Sequence, residues 1–240
     1  MKILAIDSSG QVASVALAED DTLIAEYTVD YKKTHSQTLL PMLDEIKKMT
    51  ELDLSSVDAI AISNGPGSFT GLRIGSASAK GLGLALNKPL IEVSTIEALA
   101  YNLYGMNEAI CPIMDARRDQ VYTGVFTFNK TGQSPYSYEF STLVEPVPLD
   151  ISELISKLND MGRDVIFTGD GIDVYKEVIA KELKVPYSYA AFTGNRQKAG
   201  SVALLAMAKA SKGEFVSADD SAPVYLRLSQ AERERLEKDK

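Results

Sequence analysis

Short apolar runs alternate with longer segments of helical periodicity along most of this chain. The apolar or alternating runs have the length of strands and occur at residues 3–6, 12–17, 22–29, 58–62, 89–93, 109–114, 120–128 and 165–168. Apolar residues three or four apart predict helices at residues 34–47, 70–86, 95–103, 151–158, 172–183 and 201–211. Residues 131–148, rich in Ser, Pro and Tyr, predict an irregular or edge-strand region. Strands interleaved with helices predict an α/β fold with mixed sheets and flanking helices.

The second half of the chain begins much as the first half does. Residues 3–7 read ILAID and residues 111–115 read CPIMD, and each run ends at an aspartate before a turn and a further strand. An internal repeat over roughly 110 residues predicts two duplicated α/β subdomains. The chain therefore divides into an N-terminal subdomain, 1–103, a C-terminal subdomain, 104–215, and a tail, 216–240, whose charged end at 231–240 is predicted to be helical.

Composition and charge narrow the classes of function. The formal net charge is -8, so the chain as a whole carries no basic footprint for nucleic acid, and work on RNA would need a basic partner. The single cysteine, Cys111, excludes an internal disulfide and fits a reducing compartment. The single histidine, His35, excludes a metal site with two imidazoles from one chain. No run resembles a signal peptide or a membrane span, so a cytoplasmic protein is expected.

The most informative segment runs from residue 63 to residue 75 and reads SNGPGSFTGLRIG. It follows an apolar strand and opens a helix, which places backbone N–H groups at a helix N-terminus, where anions bind. Gly65 and Gly67 could let a phosphate approach the backbone, or could only supply unusual backbone angles. No Lys followed by Ser or Thr comes after the glycines, so this is not a Walker loop.

The helix behind this loop contains four glycines between residues 70 and 86. Each interior glycine destabilises a helix by about 0.8–1 kcal/mol relative to Ala, so four cost roughly 3–4 kcal/mol. Small residues four apart lie on one face and let another element approach closely. That face would pack either inside this chain or against another subunit, and a bare face would make the free protein a homodimer. The face consists of Gly71, Gly75, Ala79 and Gly83.

Two aspartates at equivalent strand ends are candidates for chemistry. Asp7 and Asp115 could together hold Mg²⁺ or position a water in a cleft between the subdomains, or could only cap turns. The turn after Asp115 contains Arg117 and Arg118 and no glycine that would admit a phosphate. Residues 169–171, Gly-Asp-Gly, suit a close approach to a ligand or a tight turn. The candidate nucleotide- or anion-binding residues are Asp7, Ser8, Ser9, Gly65, Gly67, Asp115, Gly169, Asp170 and Gly171.

Several segments together closely resemble the TsaB family, whose older name is YeaZ. They are SNGPGSFTGLRIG at 63–75, ILAIDSS at 3–9, THS at 34–36, DARR at 115–118 and PVYLR at 223–227. The resemblance covers nearly the whole chain and implies an actin/Hsp70/sugar-kinase-like fold of two subdomains. It also implies a bacterial protein needed to make N6-threonylcarbamoyladenosine at adenosine 37, beside the anticodon, in tRNAs that read ANN codons.

The same resemblance implies a partner subunit and not an enzyme. The related transferase TsaD carries a His-x-x-x-His metal site after a similar loop and helix, and by alignment Thr95 and Leu99 stand at those two positions. Neither side chain is an imidazole, so no metal and no cofactor is expected, apart from weak binding of ATP or ADP. The implied partners are TsaD, in a heterodimer, and the ATPase TsaE and tRNA through the complex. The implied interface is the family's dimerisation surface: Gly71, Arg73, Gly75, Ser78, Ala79, Leu82 and Gly83.

Two other functions stay open on the sequence. One is an independent ATP-binding and ATP-hydrolysing enzyme of the same fold that uses Asp7 and Asp115. The other is a degenerate glycoprotease-like peptidase, although His35 is the only histidine that a Ser/His/Asp arrangement could use. Turnover of Mg·ATP by the isolated protein would distinguish the ATP-dependent enzyme from a scaffold subunit.

Overall fold

Two five-stranded sheets and their helices form the part of the chain that the computed structural model describes, residues 1–31, 33–132 and 138–226. The strands are β1 (Lys2–Asp7), β2 (Ala13–Glu19), β3 (Thr22–Val29), β4 (Ala59–Gly65), β5 (Leu90–Ser94), β6 (Ala109–Asp115), β7 (Gln120–Lys130), β8 (Tyr138–Asp150), β9 (Val165–Thr168) and β10 (Tyr187–Tyr189). The helices are α1 (His35–Met49), α2 (Phe69–Leu86), α3 (Thr95–Tyr101), α4 (Ile151–Met161), α5 (Gly171–Glu182) and α6 (Ala199–Ala210). The predicted helix at 231–240 and Arg227 of the PVYLR segment lie outside the described residues.

The two sheets have the same topology. Their strand orders are β3-β2-β1-β4-β5 and, in the same direction, β8-β7-β6-β9-β10. In each sheet the first three strands along the chain are antiparallel neighbours, and the next two extend the sheet in parallel. The equivalent strands β1 and β6 both end at an aspartate. The predicted internal repeat, and with it the α/β two-subdomain fold of the actin/Hsp70/sugar-kinase type, is confirmed.

Alternate residues of the central strands point into different apolar layers. Ile3 of β1 belongs to a core that lies between the sheets and includes Phe126 of β7 and Leu99 of α3. Leu4 of the same strand belongs to a second core, beneath α1 and α2. A third core lies beneath α4 and α5 and includes Phe167 of β9. The order of layers is therefore helices, sheet, helices, sheet, helices.

The helices of the middle layer connect the two halves of the chain. Helix α3 follows the first sheet in sequence but also contacts β6 and β7 of the second sheet. Helix α6 belongs to the second repeat but packs against β1, β2 and β5 of the first sheet. The boundary at 103/104 therefore stays a prediction, because the last helix of each repeat crosses to the other half.

The small-residue face of α2 turns inward, against its own subdomain. A Cβ at Gly71 would collide with the carbonyl oxygen of Ser8, and a Cβ at Gly75 would collide with the Ser8 hydroxyl. Ala79 is fully buried, and a Cβ at Gly83 would crowd a leucine side chain of β5. The prediction that these four residues present a surface to a partner is therefore wrong. They let α2 lie unusually close to its own sheet, and a large side chain there would disturb the fold itself.

The described part of the tail, up to residue 226, is fixed across the first subdomain as a strap. Val216 forms a short antiparallel bridge with Leu90 at the edge of β5. The ammonium of Lys80 on α2 donates to the carbonyl oxygens of Asp219 and Ser221, at 3.2 and 2.9 Å. The tail predicted as a separate region is thus part of the first subdomain as far as residue 226.

Two elements differ from the sequence-based expectation. Strand β10 has only three residues and carried no clear pattern. Strand β8, in a segment predicted as irregular or edge strand, is a continuous edge strand of 13 residues that pairs with β7 along most of its length. The pairing with a long neighbour holds it extended despite its prolines, which an edge strand tolerates.

The glycines of α2 give a direct test of this packing. We expect Gly71→Ala to lower the free energy of unfolding by about 1–3 kcal/mol, because the added methyl group meets backbone. The matched control is Gly81→Ala, where nothing lies within 4 Å of the added carbon. This control should raise the free energy of unfolding by up to about 1 kcal/mol through helix propensity. Urea denaturation measures both, and similar effects of the two changes would contradict the packing described.

Candidate functional site

A cleft between the subdomains lies where the carboxyl ends of β1 and β6 approach each other. It contains a cavity of about 430 Å³ lined from both sides. The first subdomain contributes Ser9 and Gly67, and the second contributes Asp115, Arg117 and Asp170. Four of the nine predicted nucleotide- or anion-binding residues therefore surround one cavity, and Ser8 and Gly65 pack inside the first subdomain instead.

Asp7 does not face this cavity. Its side chain is 1% exposed. Its two oxygens accept hydrogen bonds from the Ser9 N–H at 2.9 Å, the Ser9 hydroxyl at 2.7 Å and the Ser63 hydroxyl at 2.6 Å. Burial raises the pKa of Asp7, and these donors only partly oppose the shift. Asp7 ties the end of β1 to β4, so the prediction that it holds Mg²⁺ or a nucleotide is wrong.

The glycine loop is closed onto the turn that follows β1. The Ser68 N–H donates to the carbonyl oxygen of Ser9 at 2.7 Å, and a Cβ at Gly67 would collide with that same oxygen. Gly65 has a φ of 121° and packs against the carbonyl of Val224, in the strap. Ser8 donates its hydroxyl hydrogen to the Gly71 carbonyl at 2.9 Å. The glycines thus admit protein backbone, where a phosphate loop would admit a phosphate.

The turn after β6 has a different conformation from the turn after β1. Arg117, Arg118 and Asp119 have φ values of 65°, 57° and 57°, a left-handed run that is uncommon for residues other than glycine. Asp115 accepts a hydrogen bond from the Arg117 N–H at 2.8 Å, and the Arg117 guanidinium lies 3.2 Å from its other oxygen. The Tyr175 hydroxyl also donates to Asp115 at 3.2 Å. Asp115 lines the cavity, but its carboxylate already has these donors.

Asp170 is the least satisfied carboxylate at the cleft. The glycines on either side of it, Gly169 and Gly171, pack against the carbonyl of Ile113, which explains why neither position carries a side chain. The Oδ1 atom of Asp170 is buried and has no hydrogen-bond partner among the described residues. Burial raises the pKa of this carboxyl group, and Arg196 opposes the shift.

These residues do not fit a magnesium-bound nucleotide, which the fold type would imply. One of the two strand-end carboxylates is buried and fully hydrogen-bonded, and the other is paired with an arginine. The loop that would cradle phosphates is closed by the hydrogen bond between Ser68 and Ser9. Among the described residues, no three His, Cys, Asp or Glu side chains come together in a way that could hold a metal ion.

A second candidate site is the outer face of α2, which points away from the sheet. Its exposed residues are Arg73, Ala77, Gly81, Leu84 and Ala85, and Ile74, Ser78 and Leu82 are half-buried beside them. Of the predicted interface residues, only Arg73, Ser78 and Leu82 lie on this face. The predicted interface does not include the centre of this face. Ala77, Gly81 and Ala85 are also small residues spaced four apart, so the sequence indicates a second small-residue face at these positions.

The strap extends this outer face at its N-terminal end. The ring of Tyr225 stacks on Phe69, with centroids 3.9 Å apart and planes 13° from parallel. The guanidinium of Arg73 lies 4.8 Å from the centre of the Phe69 ring, and its Nε–H donates to the Tyr225 hydroxyl at 3.3 Å. This arrangement fixes Arg73, a side chain with much rotational freedom, beside the start of the helix.

The lone histidine and the two positions aligned with metal-binding histidines have structural surroundings. The Nε2 atom of His35 lies 2.9 Å from the carbonyl oxygen of Gly10, to which it donates. Thr95 and Leu99 lie on α3 and are 0% and 1% exposed. Among the described residues, no Ser/His/Asp arrangement of a peptidase forms at His35, whose ring donates to the backbone carbonyl of Gly10.

Comparison with known proteins gives the wider class first. The family model described as "TsaD: tRNA N6-adenosine threonylcarbamoyltransferase" matches residues 22–234. A solved structure titled YeaZ, from Pseudomonas aeruginosa, superposes with a TM-score of 0.70 at 29% identity, covering 94% of this chain and 99% of that one. A second P. aeruginosa structure, titled an uncharacterized protein with similarity to peptidase YEAZ, superposes with a TM-score of 0.78 at the same identity and coverage. The chain is a two-subdomain protein of the group that includes TsaD.

Within that group the sequence relatives are more specific. The Bacillus subtilis tRNA threonylcarbamoyladenosine biosynthesis protein TsaB is 32% identical over 243 aligned residues, which cover 100% of both chains. The Escherichia coli protein of the same name is 37% identical over 134 residues, 55% of this chain and 58% of that protein. The chain belongs to the TsaB family, as its motifs predict. Among the described residues, no helix is both long enough and apolar enough to cross a membrane.

The buried carboxyl group of Asp7 gives a test of the hydrogen-bonded packing at the end of β1. Because the pKa of Asp7 lies above its ordinary value of 3.8, the folded protein holds this proton more tightly than the unfolded chain does. The contribution of Asp7 to the free energy of unfolding is therefore largest below about pH 4 and falls as the pH rises through the folded-state pKa.

Asp7→Asn removes this titration. The stability difference between variant and wild type should therefore shift in favour of the variant as the pH rises from about 3 to about 7. Urea denaturation at several pH values measures that difference. A difference that is independent of pH would mean that Asp7 is not held in a buried, proton-retaining site.

Proposed function

We propose that this chain is a non-catalytic partner subunit that supports TsaD in forming N6-threonylcarbamoyladenosine at adenosine 37 of tRNAs that read ANN codons. The printed names of its relatives place those proteins in the biosynthesis of that nucleoside. The observation that carries the subunit role is the outer face of α2.

Gly81 lies at the centre of that face and has no neighbour within 4 Å of the position where a Cβ would be. It destabilises the helix by about 1 kcal/mol relative to Ala, and nothing inside the described part of the chain makes use of the missing side chain. Ala77 and Ala85 extend this surface of small side chains, which another helix could approach closely. The exposed Leu84 adds apolar surface beside it, and the fixed Arg73 is of a residue type that is enriched at interfaces.

The occupant proposed for this face is TsaD. The family model named TsaD matches most of this chain, which supports a shared fold, and we expect TsaD to have a helix equivalent to α2. Two equivalent helices packed against each other would bury both outer faces in one pseudo-symmetric contact. Phe69, the first residue of α2, and Tyr225 of the strap lie at the edge of the same face and would enlarge the contact.

Three observations support a role without chemistry of its own. The only histidine donates to backbone, and the two positions aligned with metal-binding histidines are buried on α3. The residues of the cleft do not fit a magnesium-bound nucleotide. We therefore propose no cofactor, and we propose neither independent ATP hydrolysis through Asp7 and Asp115 nor peptidase activity.

The other partners follow from this role. With a net charge of -8, the chain is poorly suited to hold tRNA alone, so tRNA would be bound through the complex, as would the ATPase TsaE. The work on tRNA would place the protein in the cytoplasm. In the absence of TsaD, two copies would cover the same face as a homodimer.

Gly81→Leu tests the interface. The variant should keep its thermal stability, because the site is open, but should bind TsaD at least about ten-fold more weakly, because the leucine separates the helices. Co-purification with tagged TsaD and titration calorimetry measure binding. The control is Ser156→Leu, the same kind of change on the exposed side of α4. Normal binding by Gly81→Leu would show that the contact lies elsewhere.

Reconstituted tRNA modification tests the function. TsaD with its other partners should form the modified nucleoside with the wild-type chain, poorly with Gly81→Leu and normally with Asp115→Asn, since the cleft carries no chemistry. Nucleoside analysis by mass spectrometry measures the product. Full modification without this chain would contradict the proposed role. Loss of the modified nucleoside with Asp115→Asn would indicate that the cleft contributes to the reaction.

Gly81→Leu also tests the homodimer. Sedimentation of the isolated wild-type chain at tens of micromolar should give a dimer, and the variant should give a monomer, because both copies would lose the same surface. The proposed homodimer would be contradicted if the wild-type chain stayed monomeric at protein concentrations from roughly ten-fold below to roughly ten-fold above this range.

A further inference from the structure

The outer edge of β3 is open. This strand lies at one end of the first sheet and pairs with β2 along its inner side only, as far as the described residues go. An edge strand presents a row of backbone N–H and C=O groups that can pair with a further strand. The eight residues of β3 are long enough for such a ladder.

The three other sheet edges are better protected than β3. The edge at β5 is bridged by Val216 of the strap. The edge at β8 contains Pro146 and Pro148, and the edge at β10 has only three residues. β3 contains neither proline nor lysine, residues that natural edges use against pairing, although a bulge between Leu23 and Ala25 interrupts its register with β2. Its apolar side chains Leu23, Ile24 and Tyr27 are 51%, 40% and 44% exposed.

A groove runs beside this edge, between β3 and α1. It has a volume of about 420 Å³, and its lining is more apolar than polar. Tyr27 and Val29 form one wall, and Pro41 and Met42 of α1 form the other. A strand added to β3 would direct every second side chain toward this groove, so an apolar residue could enter it.

The charges along the β3 edge indicate which charges a docking strand would carry. Acidic side chains lie at both ends of β3, on it and in the groove: Glu19, Asp20, Asp21, Glu26, Asp30 and Glu45. Among the described residues, the cations nearby are the N-terminal ammonium and Lys2, which pair with Asp20 and Glu19, Arg196, which is shared between Asp30 and Asp173, and Lys33 in the groove. Acidic groups are therefore in excess, which favours a strand that carries Lys or Arg.

The same charges disfavour a second copy of this chain. Two β3 strands paired antiparallel about their centre would set Asp21 of one copy opposite Asp30 of the other. Like charges directly opposite each other destabilise a strand pair. A register shifted by one residue would instead set the two Glu26 side chains opposite each other.

We propose that the β3 edge is a docking site for an extended segment of a protein partner, which adds as a strand to the first sheet, places an apolar side chain in the groove and carries basic residues toward the acidic ends. The site is separate from the outer face of α2. It lies at the edge of the sheet opposite β5, so both surfaces can be occupied together.

Synthetic peptides test the recognition. The probe is a peptide of about ten residues of alternating Val and Lys, titrated against the full chain by fluorescence anisotropy at about 0.15 M salt. It should bind, and hydrogen exchange should slow at β3. A peptide with Glu in place of every Lys reverses the charge and should bind at least about ten-fold more weakly. A Val/Lys peptide with alternate amides N-methylated cannot form the ladder of backbone hydrogen bonds and should be weakened as much.

Variants of exposed side chains locate the site. Ile24→Lys and Tyr27→Lys should each weaken the Val/Lys peptide at least about ten-fold, by adding a like charge and removing an apolar contact. Both positions are exposed, and thermal unfolding checks the fold. The control is Tyr187→Lys on β10, an exposed tyrosine of a different sheet edge, which should leave binding unchanged.

Four results would overturn the proposal. Absence of binding would do so, as would equal binding of the N-methylated peptide, which would indicate charge attraction alone. An equal effect of Tyr187→Lys would show that β3 is not the site. A wild-type dimer that Tyr27→Lys dissociates but Gly81→Leu does not would assign the edge to a second copy of the chain.

Discussion

The contact between the turn after β1 and the first turns of α2 determines how the rest of the first subdomain is used. The Asp7 carboxyl group accepts hydrogen bonds from Ser9 and Ser63. The Ser9 carbonyl accepts one from the Ser68 N–H, and the Ser8 hydroxyl donates one to the Gly71 carbonyl. These buried hydrogen bonds need backbone to lie against backbone, which is why side chains are missing at the points of contact. An unmade bond in so dry a place would cost about 1–3 kcal/mol, so the turn and the helix are held as one unit.

This contact has opposite consequences on its two sides. On the cleft side, the glycine loop and the turn after β1 bond to each other and so have no groups free to bind a phosphate. Asp115 and Asp170 therefore face a cavity to which Asp7 contributes no carboxylate. On the other side it fixes the roll of α2 about its axis. With Gly71 and Gly75 against the turn, the residues around Gly81 must point outward. The features that make the cleft a poor fit for a magnesium-bound nucleotide are therefore the same ones that orient the proposed interface.

The first sheet carries both proposed interaction surfaces at different places. Helix α2 packs against β4 and contacts β1 and β5, whereas β3 lies at the far edge, and four strand spacings of about 4.8 Å separate β3 from β5 by roughly 19 Å. The strap closes the β5 edge and braces Arg73 near the start of α2. The second sheet contributes the opposite wall of the cleft and protects its own edges by other means.

Periodicity by itself determined most of the elements and the fold class, because burial on one face of a helix or strand leaves a pattern that does not depend on distant partners. The likeness of residues 3–7 to residues 111–115 indicated the repeat. The DARR and SNGPGSFTGLRIG segments likewise indicated the family. The direction in which α2 faces was not determined, because small residues recur every four positions on two of its sides, at Gly71, Gly75 and Ala79 and again at Ala77, Gly81 and Ala85. Only the tertiary structure decided between these sides, since the inner one is defined by a turn some 60 residues away in the chain. The burial of Asp7, the course of the strap and the open edge of β3 were decided in the same way, by contacts between segments that are remote in sequence.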